Sequence, residues 1–83
     1  MDLNDACVLI TGASRGIGAS LARAFAGQGA HVILAARSAD EIESLATELN
    51  GSSIPLDVAN PEQLSGFIDR VESQVAPVDI LIN

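Results

Sequence analysis

Residues 6–18 read ACVLITGASRGIG, an apolar run that leads directly into three closely spaced glycines, Gly12, Gly16 and Gly18. The run at residues 7–10 is short, apolar and bounded by turn residues, as expected of a strand covered on both faces. A helical pattern begins at the second glycine of the set. A glycine loop between a strand and a helix lets backbone amides and the positive end of the helix dipole face a pyrophosphate, so this stretch predicts a dinucleotide site.

The rest of the chain alternates between apolar, β-favouring runs and segments with helical spacing. Ser38, followed three residues later by Glu41, forms a capping box that predicts the start of the second helix. After the first strand, the expected elements are a helix over 16–28 with Ile17, Leu21 and Phe25 on one face, a strand over 31–36, a helix ended by Asn50-Gly51, a strand over 53–57, a helix capped by Asn60 and closed by Pro77, and a strand over 78–82.

This order of elements predicts an α/β fold, a Rossmann-like three-layer parallel sheet with strand order 3-2-1-4. Pro55 cannot donate to a strand ladder, so the third strand should lie at one sheet edge. The fourth strand would form the other edge, and its residues 80–82 carry no charge. Because such an edge is open to pairing, we expect residues 1–83 to be a single, partial dinucleotide-binding Rossmann domain that is truncated after the fourth strand.

Composition and charge exclude several classes of partner. Of the 83 residues 48% are hydrophobic and only 2% aromatic, which predicts a thin core of aliphatic side chains and alanine. The net charge of −7 would repel nucleic acid and anionic membrane surfaces, so we expect neither as a partner. Arg15 and Arg37 are the local exception, since they lie beside the glycine loop and after the second strand. They favour a small anionic ligand.

The single cysteine, Cys7, has no partner for an internal disulfide, and its place in an apolar strand indicates a packing role. The acidic N-terminus does not resemble a signal peptide, and no apolar run approaches the roughly 20 residues that span a bilayer. We therefore expect a soluble, cytoplasmic protein. His31 has no cluster of other ligands at metal-binding spacing, so no metal site is predicted.

The end of the second strand indicates which dinucleotide is bound. NAD sites usually place an acidic residue there to bind the ribose hydroxyls, whereas NADP sites use a nearby arginine for the 2′-phosphate. Here the strand ends Ala35-Ala36-Arg37, without a carboxylate. Charge complementarity from Arg37 and Arg15 therefore favours NADP(H) over NAD(H). The alternative interpretation of both arginines is a solvated loop position.

The stretch TGASRGIG at residues 11–18 resembles the cofactor loop of the short-chain dehydrogenase/reductase family, classical type. The resemblance extends over essentially the whole chain. It implies that Ser14, Arg15 and Ile17 line the phosphate side of a bound cofactor, with the loop glycines providing close backbone approach.

Further positions match the family pattern beyond the loop. Asp57-Val58 resembles the adenine-contacting acidic residue and its neighbour, and Asn83 resembles the first residue of the N-N-A-G turn. A basic residue where Arg37 stands marks NADP(H) preference in the family, in agreement with the charge argument. Asp57 also has a simpler interpretation as a turn residue, and Asn83 as a polar strand end.

The resemblance also implies a catalytic Tyr-x-x-x-Lys pair with a serine and a further asparagine, in which the lysine lowers the tyrosine pKa for proton transfer during hydride transfer. The chain has no tyrosine, and its four basic residues are all arginines. We therefore assign no catalytic residue and expect this chain to be inactive alone. For the complete protein the expectation is an enzyme and a homo-oligomer.

Two functions follow from these observations. The first is the N-terminal cofactor-binding part of an NADP(H)-dependent short-chain oxidoreductase that acts on an alcohol or carbonyl. The second is a non-enzymatic NADP(H)-binding module or truncated product, since the loop is intact and the acid-base residues are absent. A P-loop NTPase is excluded because no lysine follows the glycines. A methyltransferase-like nucleoside site is disfavoured. By resemblance, such sites carry an acidic residue at the end of the second strand, where this chain has Ala36.

Overall fold

The computed structural model describes residues 4–13, 16–56, 61–75 and 77–82, with residues 61–65 described at the backbone only. Strands and helices alternate strictly along these residues. They are β1 (Cys7–Thr11), α1 (Gly16–Gly27), β2 (His31–Ala36), α2 (Ala39–Leu49), β3 (Ser52–Pro55), α3 (Pro61–Gln74) and β4 (Ile80–Ile82).

The four strands form one parallel sheet of order β3-β2-β1-β4. β1 lies between its two neighbours with Leu9 opposite Ile33 of β2 on one side and opposite Leu81 of β4 on the other. β3 pairs with the free side of β2, where Ala36 lies opposite Pro55. This arrangement confirms the predicted α/β class, the strand order and the edge position of the proline-containing strand.

Both faces of the sheet are covered, which is why β1 and β2 are continuously apolar. Alternate residues of a strand point to opposite faces, and the buried side chains accordingly divide into two clusters. One joins Val8, Ile10, Val32, Leu34 and Ala36 to buried residues of α1 and α2. The other joins Cys7, Leu9, Ile33 and Ala35 to Leu56 and to Phe67 and Val71 of α3. The result is a helix–sheet–helix sandwich with a core of small and aliphatic residues.

Helix α1 packs on the sheet through part of the predicted face, with alanines at the centre of the contact. Its buried residues are Ala19 and Ala22, while Leu21 and Phe25 are only partly buried. Ile17, expected on the same apolar stripe, is 81% exposed, so that expectation was wrong. The physical reason is size, since alanine side chains let the helix axis approach the sheet closely and leave the bulkier residues at the margins.

Helix α2 begins and ends near the predicted residues, but the Ser38 side chain does not make its half of the predicted capping box. Ser38 occupies the N-cap with extended backbone and makes no side-chain hydrogen bond to the helix. At the other end Asn50 adopts the left-handed conformation with φ 57°, and its amide donates to the carbonyl of Thr47. The Gly51 amide donates to the carbonyl of Ala46 at 2.8 Å, which completes a Schellman-type helix end.

The two edge strands are shorter than the sequence pattern predicted. β3 ends at Pro55, and the chain is held to β2 one residue later by the Leu56 amide, which donates to the Ala36 carbonyl at 2.9 Å. β4 starts at Ile80 rather than at residue 78. At the central residue of β4, Leu81, 43% of the surface remains exposed. Among the described residues, no helix combines the length and the apolar character that crossing a membrane requires.

Candidate functional site

All four strands end at the same edge of the sheet because they are parallel, and the predicted binding residues that the structure describes lie at this edge. The chain builds outward from β1 through β2 to β3 and then returns to place β4 on the opposite side of β1. The strand order therefore reverses between β1 and β4. In open α/β sheets, ligands bind outside the carboxyl ends of the strands at such a reversal point.

The loop after β1 turns sharply at this edge and presents an open outer face. Gly12 and Gly16 both have φ of +66°, a conformation that costs glycine little and strains other residues. Among the described residues, a Cβ placed on either glycine would meet no atom within 4 Å. The Ala13 amide donates to the Ala35 carbonyl at 3.4 Å and ties the start of the loop to β2.

Gly18 serves this loop for a different reason. A Cβ at this position would lie 2.5 Å from the Gly12 carbonyl oxygen and 3.0 Å from the Cα of Ala13. The first turn of α1 is therefore in direct contact with the loop backbone, and only a residue without a side chain permits that contact. Gly18 therefore joins the N-terminus of α1 to the described start of the loop, Gly12 and Ala13.

The electrostatics of this edge favour an anion at α1 rather than at α2. The first turn of α1 carries no acidic residue, so the positive end of its dipole is not neutralised by side chains. The first turn of α2, in contrast, carries Asp40 and Glu41. Ile17, in the first turn of α1, exposes its apolar side chain to solvent at the same place.

Arg37 follows β2 at the same sheet edge. Thr11, the last residue of β1, lies opposite Ala35, so Arg37 extends two residues beyond the level at which the glycine loop begins. Its side chain is exposed, and within the part of the chain that the structure describes it takes part in no ion pair. The guanidinium group is therefore available to an external anion.

Thr11 contributes to the site in a way that sequence reasoning missed. It is a buried polar residue with 8% of its surface exposed, and its hydroxyl donates to the Ile82 carbonyl at 3.4 Å. This hydrogen bond joins the carboxyl ends of β1 and β4, where the strand order reverses. The sequence signal that could have identified Thr11 is a hydroxyl residue between a buried strand and the first loop glycine.

The single cysteine of the sequence, Cys7, lies at the amino end of β1, on the side of the sheet away from the glycine loop. The Cys7 amide donates to a carboxylate oxygen of Asp79 at 2.7 Å, and the Asp79 amide donates back to the Cys7 carbonyl at 2.9 Å. Burial raises the pKa of the Cys7 thiol, and the carboxylates of Asp79 and Glu72 raise it further. A protonated thiol at the amino end of β1 is remote from the glycine loop, in keeping with the predicted packing role.

Of the ten residues predicted to bind a cofactor, the structure describes Gly12, Gly16, Ile17, Gly18 and Arg37, and it places all five at the carboxyl edge. The other five, Ser14, Arg15, Asp57, Val58 and Asn83, lie outside the described residues. His31 contacts the hydroxyl of Ser52 through Nε2 at 3.1 Å. Among residues with a described position, no group of three His, Cys, Asp or Glu side chains could hold a metal ion.

A parallel sheet of this order, with a glycine loop leading into a helix at the reversal point, defines a Rossmann-like nucleotide-binding fold. Comparison with known protein families agrees with this fold and identifies the family. The family described as short chain dehydrogenase matches residues 6–83. The chain belongs to the short-chain dehydrogenase/reductase family.

Relatives share its sequence over nearly its full length. An uncharacterised oxidoreductase of Staphylococcus haemolyticus is 40% identical, a match that covers 99% of this chain and 37% of the relative. The 3-oxoacyl-acyl-carrier-protein reductase of Escherichia coli is 34% identical over 100% of this chain and 35% of its own length. The chain therefore spans little more than a third of these relatives.

Among solved structures, L-sorbose reductase from Gluconobacter frateurii, crystallised with NADPH and L-sorbose, superimposes with a TM-score of 0.77 and 35% sequence identity. The match covers 100% of this chain and 35% of the reductase. The fold of this chain is thus shared with L-sorbose reductase over the portion compared.

Proposed function

We propose that this chain is the cofactor-binding part of an NADP(H)-dependent short-chain oxidoreductase, which transfers hydride between NADP(H) and an alcohol or carbonyl substrate. The observation that carries the proposal is the loop from Gly12 to Gly18. Among its described residues, Gly12 and Gly16 have open space beside them, Gly18 packs against the backbone of Gly12 and Ala13, and the loop follows β1 where the strand order reverses. These properties suit a bound pyrophosphate.

The residues would hold successive parts of the dinucleotide. The loop glycines, with Ser14, Arg15 and Ile17, would contact the pyrophosphate, and Asp57 with Val58 would contact the adenine. Asn83 follows β4 in sequence, on the other side of the reversal point, where the nicotinamide half would lie. The nicotinamide supplies the hydride chemistry, and the protein supplies binding and orientation.

The preference for NADP(H) rests on the end of β2. Arg37 is exposed there and unpaired among the described residues, and Ala36 stands where an NAD site would carry a carboxylate. A guanidinium group can form charge-assisted, bidentate hydrogen bonds with a 2′-phosphate. L-sorbose reductase, a structural neighbour, was crystallised with NADPH.

Calorimetric titration of the purified 83-residue chain with NADPH tests the proposal. We expect measurable but weak binding, because the portion after β4 that would complete the nicotinamide half is not part of the chain. NADH should bind more weakly than NADPH since it lacks the 2′-phosphate. No heat at millimolar NADPH would reject nucleotide binding by this chain.

A second candidate is a non-enzymatic NADP(H)-binding module. It is favoured by one observation, which is that the glycine loop is intact while the chain contains no tyrosine and no lysine to perform acid-base chemistry. We further propose that residues 1–83 are part of one dinucleotide-binding domain. A Tyr-x-x-x-Lys sequence in the continuation of the reading frame would support the enzyme, and its absence would support the module.

A further inference from the structure

The residue before β3 lies in close contact with the neighbouring strand β2. Gly51 immediately precedes β3, and a Cβ on this residue would lie 2.5 Å from the Val32 carbonyl oxygen and 2.8 Å from Val32 Cγ2. The nearest atom belongs to the backbone of β2, an interior strand, so no rotation of a side chain can make room. Only glycine permits β3 to lie at this distance from β2.

Two further contacts hold the same end of β3. The Gly51 amide donates to the Ala46 carbonyl at 2.8 Å, which joins it to the last turn of α2. The neighbouring Ser52 hydroxyl lies 3.1 Å from Nε2 of His31, the first residue of β2. The end of α2, the start of β3 and the start of β2 therefore meet at one point.

The opposite end of β3 belongs to the candidate site. The pairing that begins with Ser52 opposite Ile33 ends with Pro55 opposite Ala36, directly before Arg37. Leu56 continues the register through its amide bond to the Ala36 carbonyl and is buried on the α3 side of the sheet. Because strand side chains alternate between faces, a slip of one residue would turn Ile54 and Leu56 out of this cluster.

We infer that Gly51 is a positioning residue for the adenosine side of the nucleotide site. Its missing side chain sets the register of β3 on β2. This register determines which residue at the carboxyl end of β3 lies beside Arg37. The ligand portion concerned is the adenosine 2′-phosphate, whereas the pyrophosphate is held by the loop after β1. This inference rests on the proposed function.

The test compares Gly51→Ala with wild type, using calorimetric titration with two probes, 2′,5′-ADP and inorganic pyrophosphate. We expect the variant to bind 2′,5′-ADP about tenfold more weakly and pyrophosphate within about twofold of wild type. Gly66→Ala is the matched control, since a Cβ at Gly66 meets nothing within 4 Å. It should leave both affinities unchanged.

The possible results separate the inference from the function on which it rests. If wild type binds neither probe, the proposed function fails. If wild type binds both and Gly51→Ala weakens both equally, the function stands and the positioning role of Gly51 is overturned, because the damage is then general.

Hydrogen exchange in the wild-type chain tests the same inference without a variant that could fail to fold. Two amides flank β3: the Gly51 amide donates to the Ala46 carbonyl at the end of α2, and the Leu56 amide donates to the Ala36 carbonyl of β2. If Gly51 controls the register of the whole strand, the two amides should open together with similar protection. Much faster exchange at Leu56 than at Gly51 would show that the two ends move independently and would overturn the inference.

Discussion

At the residue scale, the three arginines that the structure describes have different surroundings. Arg23 forms an exposed ion pair with Glu48, with Nε and Oε2 3.0 Å apart. Arg70 lies over the ring of Phe67, at 5.7 Å from its centroid. Arg37 has neither kind of contact among the described residues. It is thus the described cation whose charge remains available, and it stands at the end of β2.

Charge reversal at this position is expected to discriminate between the two cofactors. Arg37→Glu should weaken NADPH binding about 10- to 100-fold, because a charge-assisted hydrogen bond contributes about 1.5–3 kcal/mol and is replaced by repulsion. NADH binding should change little. Calorimetric titration with both nucleotides measures the difference. Arg70→Glu, which makes the same change in net charge on α3, should affect neither, and equal losses for Arg37→Glu would reject recognition of the 2′-phosphate.

At the element scale, β4 is the shortest strand described. Two carboxylates form hydrogen bonds that fix residues 78 and 79, directly before it. Asp79 exchanges two hydrogen bonds with Cys7, one through its side chain and one through its amide. The Glu72 carboxylate accepts a hydrogen bond from the Val78 amide at 2.9 Å. The Asp79 side chain therefore occupies the place where a strand carbonyl would otherwise continue the ladder, which explains why β4 begins only at Ile80.

Removing this carboxylate is expected to destabilise the sheet. Asp79→Ala leaves the Cys7 amide without its acceptor and should lower the free energy of unfolding by about 1–3 kcal/mol. Asp79→Asn keeps a side-chain oxygen and should lose less. Urea denaturation followed by circular dichroism measures both variants. Asp69→Ala, at an exposed position of α3, is the control, and an equally large loss there would contradict a specific role for Asp79.

At the scale of the whole molecule, the chain lacks the residues that usually titrate at alkaline pH. It contains no tyrosine, and all four basic residues are arginines, which stay charged. Cys7 is buried, with 4% of its surface exposed, and its pKa is raised from the ordinary value of 9.0. Above the titration of the terminal amine, the thiol is thus the main group whose proton affinity differs between the folded and unfolded chain.

This difference gives a pH dependence of known sign. Well below pH 9.0, the ordinary pKa of the thiol, the group is protonated in both states and does not change stability. As pH rises further, the unfolded chain loses the proton first, so the free energy of unfolding should fall until the folded pKa is passed. Urea denaturation at a series of pH values from about 8 to 11 measures the fall, in the range above the terminal amine. Cys7→Ala should remove most of this slope, and an unchanged slope would assign it to another group.

Much of the fold followed from local patterns whose physical meaning does not depend on distant contacts. Two continuous apolar runs predicted buried parallel strands, and Pro55 placed β3 at an edge because it cannot donate. In the predicted apolar stripe of α1, only the place of Ile17 was wrong, because Ile17 and Ala19 both fit a helical repeat. Which of them faces the sheet depends on how closely the helix axis approaches the sheet. The spacing of apolar residues along a helix does not specify that distance.

The sequence by itself determined the order of elements, the strand order, the family and the glycine loop, since each depends on residue types at short spacing. Only the tertiary structure decided that Gly18 and Gly51 are needed because they touch backbone, that Thr11 joins β1 to β4, and that Asp79 completes the hydrogen bonding of Cys7. These contacts connect residues that are distant in sequence or lie on different elements. Their existence depends on how closely the folded chain brings the elements together, which no local pattern specifies.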